Sequence, residues 1–210
     1  MNGFEISLLG GVAFSEVAHR LIKLNPDIPR SVFRAFMKLR GTKGVVSKDK
    51  SIFLENLPLA DGRIGNGFFA LKIGKRNFFL KVTENEKLKE KFSPHDDLAL
   101  SQYNSLIKAK QLIMKSNLKE HIDVVTPQFA FVSKKYSFLV TDFFNYKRVE
   151  DILKGKDHNL KKEVRDALYL FNAAEGYLDR RGFRDMGGHN AFYSPKLKKF
   201  ILFDLRYYFE

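Results

Sequence analysis

The chain has 210 residues, of which 44% are hydrophobic and 21 are phenylalanine, enough for one domain or two small lobes with a packed core. It contains no cysteine, which excludes disulfides, thiolate zinc sites and cysteine nucleophiles, so a bound metal must be held by oxygen ligands or histidine. No apolar run approaches the roughly 20 residues that a membrane-spanning helix needs. The first residues lack the basic leader of a secretory signal, so we expect a globular protein synthesised in the cytoplasm.

The formal net charge of +13 indicates anionic partners, such as nucleotide phosphates, acidic proteins, nucleic acid or an anionic membrane surface. The basic residues are dispersed rather than grouped. Lysines alternate with glutamates between residues 84 and 91, and others lie at apparent hairpin tips. This dispersal argues against a dedicated nucleic-acid surface.

Residues 1–46 have apolar positions at helical spacing, which predicts two short helices separated by Pro26 and Pro29. We interpret them as a helical extension that packs on the lobe that follows. A partner-docking or regulatory element is the alternative interpretation.

From residue 51 the apolar pattern changes to that of β-strands, interrupted by one helix. Strands are predicted at residues 51–57, 68–73, 77–82, 124–132 and 137–141. The helix is predicted at residues 97–114. Gly65 and Gly67 precede the second strand in a G-x-G-x-x-A arrangement, and Lys81 lies near the end of the third strand.

Two helices are predicted in the C-terminal third of the chain. A short one begins at Val149, and a strongly periodic one spans residues 161–181. Gly182 follows it, and a glycine at that position is a common helix stop.

The stretch after this helix carries the residues on which the functional interpretation depends. Asp185 and Asn190 lie in the segment FRDMGGHN, and two short strands joined by a turn then lead to Asp204. Such a hairpin can place Asn190 and Asp204 on neighbouring strand ends. A carboxylate that orients a hydroxyl, with an amide and a second carboxylate that hold a divalent metal, is the set of oxygen ligands that phosphoryl transfer from a nucleotide requires. Phosphotransfer is therefore the leading hypothesis.

These motifs resemble the signature of protein kinases, in which an H-R-D catalytic loop with an Asn five residues after its Asp precedes a metal-binding D-F-G. Here Phe183 replaces the histidine, and Asp204-Leu205-Arg206 replaces D-F-G. Over residues 50–210 the chain resembles the protein-kinase-like superfamily, and its small size resembles that of the minimal effector kinases secreted by pathogenic bacteria. Lipopolysaccharide core kinases carry a similar pattern of Asp, Asn and Asp.

The resemblance implies an α+β, two-lobed minimal protein-kinase-like fold with a truncated C-terminal lobe. The expected divisions are an N-terminal helical extension at residues 1–46, an N-lobe at 47–145 with a β-sheet and one helix, and a C-lobe at 146–210 with the catalytic loop. An activation loop is not expected after Asp204, so we expect competence without phosphorylation of such a loop.

The resemblance also implies a role for each catalytic and metal-binding candidate. Lys81 is expected to hold the α- and β-phosphates of ATP, and Asp185 to orient the acceptor hydroxyl and take its proton. Asn190 and Asp204 are expected to hold Mg²⁺. Gln102 stands where family members carry the acid that pairs with the strand lysine, and it supplies no charge.

Further nucleotide contacts are implied on either side of Lys81. Gly65 and Gly67 are expected to bring backbone amides close to the phosphates. Asp142 and Phe144 stand where a kinase's inter-lobe hinge offers backbone groups to adenine.

The expected function is that of an ATP- and magnesium-dependent kinase that phosphorylates Ser or Thr hydroxyls of a protein, in the cytoplasm or, as a secreted effector, inside a host cell. Expected partners are this acceptor protein and an activating protein. Two alternatives remain open. A kinase acting on a sugar or a lipopolysaccharide core shares every candidate residue, and a nucleotide-binding pseudokinase is favoured by Gln102, by Phe183 and by the missing D-F-G ending.

Overall fold

A computed structural model describes residues 13–14, 27–39, 44–46, 52–57, 66–84, 98–133, 135–143, 146–184 and 186–207. Over these residues the chain is α+β, with mainly antiparallel strands and four α-helices, which confirms the predicted fold class. It divides into two compact units, one formed by Met1–Tyr103 with Pro127–Phe143 and the other by Asn104–Thr126 with Phe144–Glu210. Among the described helices, none has the length and apolar character needed to cross a bilayer.

The first unit is built on a seven-stranded antiparallel sheet. Its strands in chain order are β1 (Ala13–Phe14), β2 (Gly44–Val46), β3 (Ile52–Asn56), β4 (Asn66–Ile73), β5 (Arg76–Glu84), β7 (Pro127–Val132) and β8 (Tyr136–Asp142). In space they lie in the order β1-β7-β8-β5-β4-β3-β2, so β5 is the central strand. The three predicted strands between residues 51 and 82 are confirmed with shifts of one or two residues.

Helix α1 (Ile28–Lys38) packs its apolar face on one side of this sheet. Pro29 lies in its first turn, where a missing backbone N–H costs no hydrogen bond. Phe36 packs edge-to-face against Phe69, Tyr136 and Phe138, with ring centroids 5.6, 5.1 and 5.5 Å away. These rings, with Phe33 and Phe131, form what we call the aromatic core of the first unit.

Part of the N-terminal extension forms strands where helix was predicted. The second of its two predicted helices is α1, but the first falls largely outside the described residues. Ala13–Phe14 within it form β1, which pairs with β7, and Gly44–Val46 form β2 at the opposite edge of the sheet. Short apolar runs of this kind satisfy strand pairing as well as helical spacing, which explains the error.

Helix α2 (Leu98–Met114) confirms the predicted helix to within one residue. The predicted hairpin of residues 124–132 with residues 137–141 is confirmed by the antiparallel pair of β7 and β8, but its first strand is not continuous. The chain forms β6 (Ile122–Val124), breaks at Val125 and Thr126, and re-enters the first sheet as β7. The Val125 N–H donates to the carbonyl of Leu202 (2.9 Å), so β6 belongs to the sheet of the second unit.

The second unit contains a four-stranded sheet in the order β6-β12-β11-β9 and a separate strand pair, β10 with β13. These strands are β9 (Lys147–Arg148), β10 (Phe183–Arg184), β11 (Ala191–Ser194), β12 (Lys199–Leu202) and β13 (Arg206–Tyr207). Strand β6 runs parallel to β12, while the other pairs are antiparallel. The helices of this unit are the C-terminal part of α2, the short α3 (Val149–Lys154) and the long α4 (His158–Asp179).

Helix α4 supports the four-stranded sheet. Asp157 caps its N-terminus by accepting a hydrogen bond from the Leu160 N–H (3.0 Å). Its buried positions recur at helical spacing, and the ring of Phe171 lies 5.4 Å from that of Phe200 on β12. Gly182 follows with φ of +86°, a left-handed conformation that glycine adopts without steric cost. The predicted helix and its glycine stop are therefore confirmed, although the helix begins and ends earlier than 161–181.

We expect Phe138→Ala to lower the free energy of unfolding by about 3–5 kcal/mol, because its ring is fully buried in the aromatic core and deletion leaves a cavity. Phe53→Ala is the matched control. Phe53 is 36% exposed on a strand of the same sheet, so its loss should cost about 1 kcal/mol or less. Urea titration of both variants measures the difference, and equal losses would contradict this account of the core.

Candidate functional site

The hairpin of β11 and β12 brings two candidate residues into neighbouring positions. Ala191 lies opposite Leu202, and the pairing continues one step further because the Phe203 N–H donates to the carbonyl of Asn190 (2.9 Å). The backbone of Asn190 is therefore bonded to the residue immediately before Asp204. The hairpin predicted from the sequence is present, and it places Asn190 and Asp204 on adjoining strand ends.

Asn190 is held rigidly at its end of the hairpin. It is the last residue of a 3₁₀ turn, Gly188–Asn190, and its N–H donates to the carbonyl of Gly187 (2.8 Å). Its side chain is 6% exposed. The backbone of Asn190 is therefore held at both its N–H and its carbonyl, and its side-chain amide lies in a buried position.

Asp204 has a backbone conformation that is unusual for a residue with a side chain. Its φ is +56°, in the left-handed region, and Leu205 directly after it is fully buried. Left-handed φ costs roughly 1 kcal/mol in an L-residue other than glycine, although aspartate is among the residues that tolerate it. At this position glycine would be preferred on steric grounds, yet the chain carries a carboxylate. Strain of this kind concentrates at functional sites, which favours a functional role for Asp204.

The strand pair β10–β13 connects the two acidic candidates. Phe183 lies opposite Tyr207 and Arg184 opposite Arg206, with the rings of Phe183 and Tyr207 5.0 Å apart. The chain just before Asp185 is thus bonded to the chain just after Asp204. Asp185 itself lies outside the described residues, so its role stays a prediction.

Arg184, to which the sequence assigned no settled role, is bound to the end of helix α4. Its Nη1 donates to the carbonyl of Asp179 (3.1 Å) and pairs with the Asp179 carboxylate (2.5 Å). A guanidinium next to the last carbonyls of a helix stabilises that terminus. Arg184 therefore anchors the loop that carries Asp185 to the end of α4.

Lys81 lies on β5 in the middle of the first unit's sheet, and it is 6% exposed. Its neighbours along the strand, Leu80 and Val82, belong to the core under α1, so alternation places Lys81 on the opposite face. There it lies between Phe68 on β4 and Leu139 on β8, with its Nζ 5.9 Å from the centroid of the Phe68 ring.

The remaining nucleotide-binding candidates are placed in part. Gly67 lies within β4, where a Cβ would be 2.4 Å from the ring of Phe69, so a packing constraint on this strand favours glycine. Asp142 ends β8, and its carboxylate accepts a hydrogen bond from Gln128 (2.7 Å). Gly65 and Phe144 lie outside the described residues.

Gln102, at the position where the resemblance expects an acid, lies on α2 and is 1% exposed. Burial of a neutral amide is far less costly than burial of a carboxylate, which must be paired to remain charged. Gln102 is therefore a buried residue of α2 that carries no charge.

The described residues fit a magnesium ion only as a partial ligand set. Among them, no group of three or more His, Asp or Glu side chains lies close enough to hold a metal. Asn190 and Asp204 supply one amide oxygen and one carboxylate, the hard donors that Mg²⁺ accepts, and Mg²⁺ retains several waters when so few protein ligands bind it. The pair is therefore compatible with magnesium bound jointly by protein, water and phosphate.

Comparison with known proteins identifies no family for the chain: no family model and no curated protein matches it. Among solved structures it is similar to the crystal structure of Rad53 1-466 in complex with AMP-PNP, with a TM-score of 0.45 and 13% sequence identity. The alignment covers 82% of this chain and 42% of that chain, so this chain spans less than half the length of that structure. At this similarity neither a ligand nor an activity carries over.

We expect Asp204→Gly to unfold at higher urea concentration than Asp204→Ala, because glycine removes the left-handed strain that alanine retains. The expected difference is about 1 kcal/mol in the free energy of unfolding. Lys198 provides the control, since its φ of +51° has the same strain at an exposed turn. A gap between glycine and alanine at Lys198 but none at Asp204 would show that Asp204 is not strained.

Proposed function

We propose that this chain is an ATP- and magnesium-dependent phosphotransferase whose acceptor is a Ser or Thr hydroxyl of a protein. The observation that carries the proposal is the hydrogen bond from the Phe203 N–H to the carbonyl of Asn190. It holds the backbone of Asn190, a buried residue, against Phe203, which directly precedes the strained Asp204. An amide and a carboxylate that can hold a metal, with the second carboxylate proposed for Asp185, are the groups that transfer of a charged phosphoryl group requires.

In the proposed reaction the acceptor oxygen attacks the γ-phosphorus of ATP, the bond from this phosphorus to the bridging oxygen breaks, and ADP leaves. Asp185 orients the acceptor hydroxyl and accepts its proton. Asn190 and Asp204 would hold magnesium, which when bound neutralises the negative charge of the phosphates. Lys81 adds a positive charge to the α- and β-phosphates.

The position of Lys81 supports its proposed role. Most of its side chain is buried, so its ammonium group is confined to a small volume on one face of the sheet. Strand β4 pairs with β5 from Arg76 to Thr83 and strand β8 pairs with it from Phe78 to Glu84, so Lys81 is held on both sides. A fixed cation of this kind binds a phosphate with less loss of side-chain entropy than a solvated lysine.

A nucleotide-binding pseudokinase is the second candidate, and the buried Gln102 is the observation that favours it. In active protein kinases a glutamate on the helix pairs with the strand lysine. An amide can donate to or accept from its neighbours but does not supply the charge of that ion pair. The two candidates differ in one respect, which is whether the γ-phosphoryl group leaves ATP.

Asp185→Asn should lower the rate of γ-phosphoryl transfer by about 10²–10⁴-fold, because the amide cannot take the acceptor proton. Affinity for ATP should stay nearly constant, since the role concerns the acceptor. Transfer of label from γ-labelled ATP, with protein extracts and sugars as alternative acceptors, measures both the rate and the acceptor class. Asp166→Asn, on the exposed side of α4, is the control, and equal activity of the two variants would rule out the role of Asp185.

Asp204→Ala should abolish the magnesium-dependent part of nucleotide binding, since the variant loses the carboxylate that would hold the metal next to the phosphates. The test compares the thermal stabilisation given by ATP with Mg²⁺ and by ATP with EDTA. We expect the two values to differ in the wild type and in Lys198→Gly but to coincide in Asp204→Ala. A magnesium-dependent shift that persists in Asp204→Ala would contradict the proposed metal site.

A further inference from the structure

Lys81 shares its face of the sheet with two aromatic rings. Phe68 lies directly opposite it on β4, and Phe79 precedes it by two residues on β5, so both side chains lie on the side away from the aromatic core. The two rings are 5.4 Å apart and inclined at 34°. Both are half-buried, unlike Phe69 and Phe78 on the other face, which are buried.

We propose that Phe68 and Phe79 form a stacking platform for a nucleobase, and that this site takes ATP and GTP with little discrimination between them. The inference rests on the proposed function in one respect, the assignment of Lys81 to the phosphates. It goes beyond that function by naming the residues that hold the base and the range of nucleotides accepted.

The position of the rings relative to Lys81 supports the platform. Phe79 lies about 7 Å from Lys81 along the strand, the spacing of two residues in an extended chain. It pairs with Thr141 on β8, one residue before Asp142, at the end of the sheet that leads into residues 141–146. A nucleotide whose phosphates contact Lys81 and whose base points toward that end therefore passes over the aromatic pair.

This arrangement differs from the strand motif of protein kinases. That motif reads V-A-I-K, with a small alanine two residues before the lysine. Here the strand reads F-F-L-K, and Phe79 stands in the alanine's place. A base at this position meets an aromatic ring instead of a methyl group, so its recognition differs from that implied by the resemblance.

Stacking on rings explains the expected lack of discrimination. Every base has a π-face, so stacking stabilises adenine and guanine alike, whereas selection between them needs hydrogen bonds to the base edges. Among the described residues, polar side chains at this end of the sheet are engaged within the first unit. The Thr141 hydroxyl donates to the carbonyl of Asp142 (3.2 Å), and Gln128 donates to the Asp142 carboxylate (2.7 Å).

Calorimetric titration with ATP, GTP and inorganic triphosphate, each with Mg²⁺, tests the proposal. In the wild type we expect the dissociation constants of ATP and GTP to agree within about threefold, because stacking does not distinguish the bases. Phe79→Leu should weaken both by about 5- to 150-fold, the range that loss of one stacked ring gives, and leave triphosphate binding unchanged. Phe53→Leu is the control, because Phe53 lies on the same face opposite Lys72, farther from Lys81.

If Phe79→Leu does not fold, two other variants, Phe68→Leu and Phe79→Tyr, test the same proposal. The first should weaken both nucleotides as Phe79→Leu does, and the second, which retains a ring, should bind both as the wild type does. A preference for ATP of more than about 20-fold, or affinities that do not change in the leucine variants, would overturn the platform and leave the phosphotransferase proposal standing. Absence of any nucleotide binding by the folded wild type would overturn both.

Discussion

The second unit depends on the antiparallel closure between β11 and β12, which ends on the hydrogen bond from the Phe203 N–H to the carbonyl of Asn190. This closure fixes the spacing of an amide and a carboxylate that are separated along the chain. The pair β10–β13 adds a second link, so the loop before Asn190 is tied to the residues after Asp204. Helix α4 lies before both links and is held on the same sheet by Phe171.

The two faces of the sheet in the first unit carry different kinds of side chain. One face packs rings against α1 and supplies hydrophobic stabilisation through the aromatic core. The other face carries Lys81 between Phe68 and Leu139. Because side chains alternate along a strand, FFLKV serves both faces at once: Phe78, Leu80 and Val82 point to the core, while Phe79 and Lys81 point away from it. A slip of one residue would bury the lysine in the core.

Sequence alone predicted the elements whose signals are local. Two short apolar runs and the turn at residues 194–196 predicted the hairpin of β11 and β12, and helical spacing with Gly182 predicted α4. Sequence failed where an apolar run is compatible with more than one partner. Within residues 122–132, only Pro127 indicates a boundary between β6 and β7. The sequence of neither strand indicates the sheet to which it belongs. The two-residue strands β1, β9, β10 and β13 are likewise too short for any period to be seen.

In the candidate site, too, the sequence predicted local features but not those that depend on the fold. The spacing of Asn190 and Asp204 was readable because a hairpin is a local structure, but the left-handed φ of Asp204 was not, since aspartate gives no sign of it. The resemblance implies a phosphate-binding role for Gly67, and that role stays a prediction, while the packing of the Phe69 ring against Gly67 in β4 could not be seen in the sequence. The contact of Arg184 with the end of α4 depends on three-dimensional proximity that only the fold reveals.

The measurement that tests the central claim most directly is release of the γ-phosphoryl group. Purified protein would be incubated with γ-labelled ATP, a protein extract and either Mg²⁺ or EDTA. The account predicts label on Ser or Thr of at least one protein with Mg²⁺ and none with EDTA. ATP that binds in the presence of Mg²⁺ but stays intact with every protein acceptor and sugar supplied would contradict transfer and leave a nucleotide-binding module.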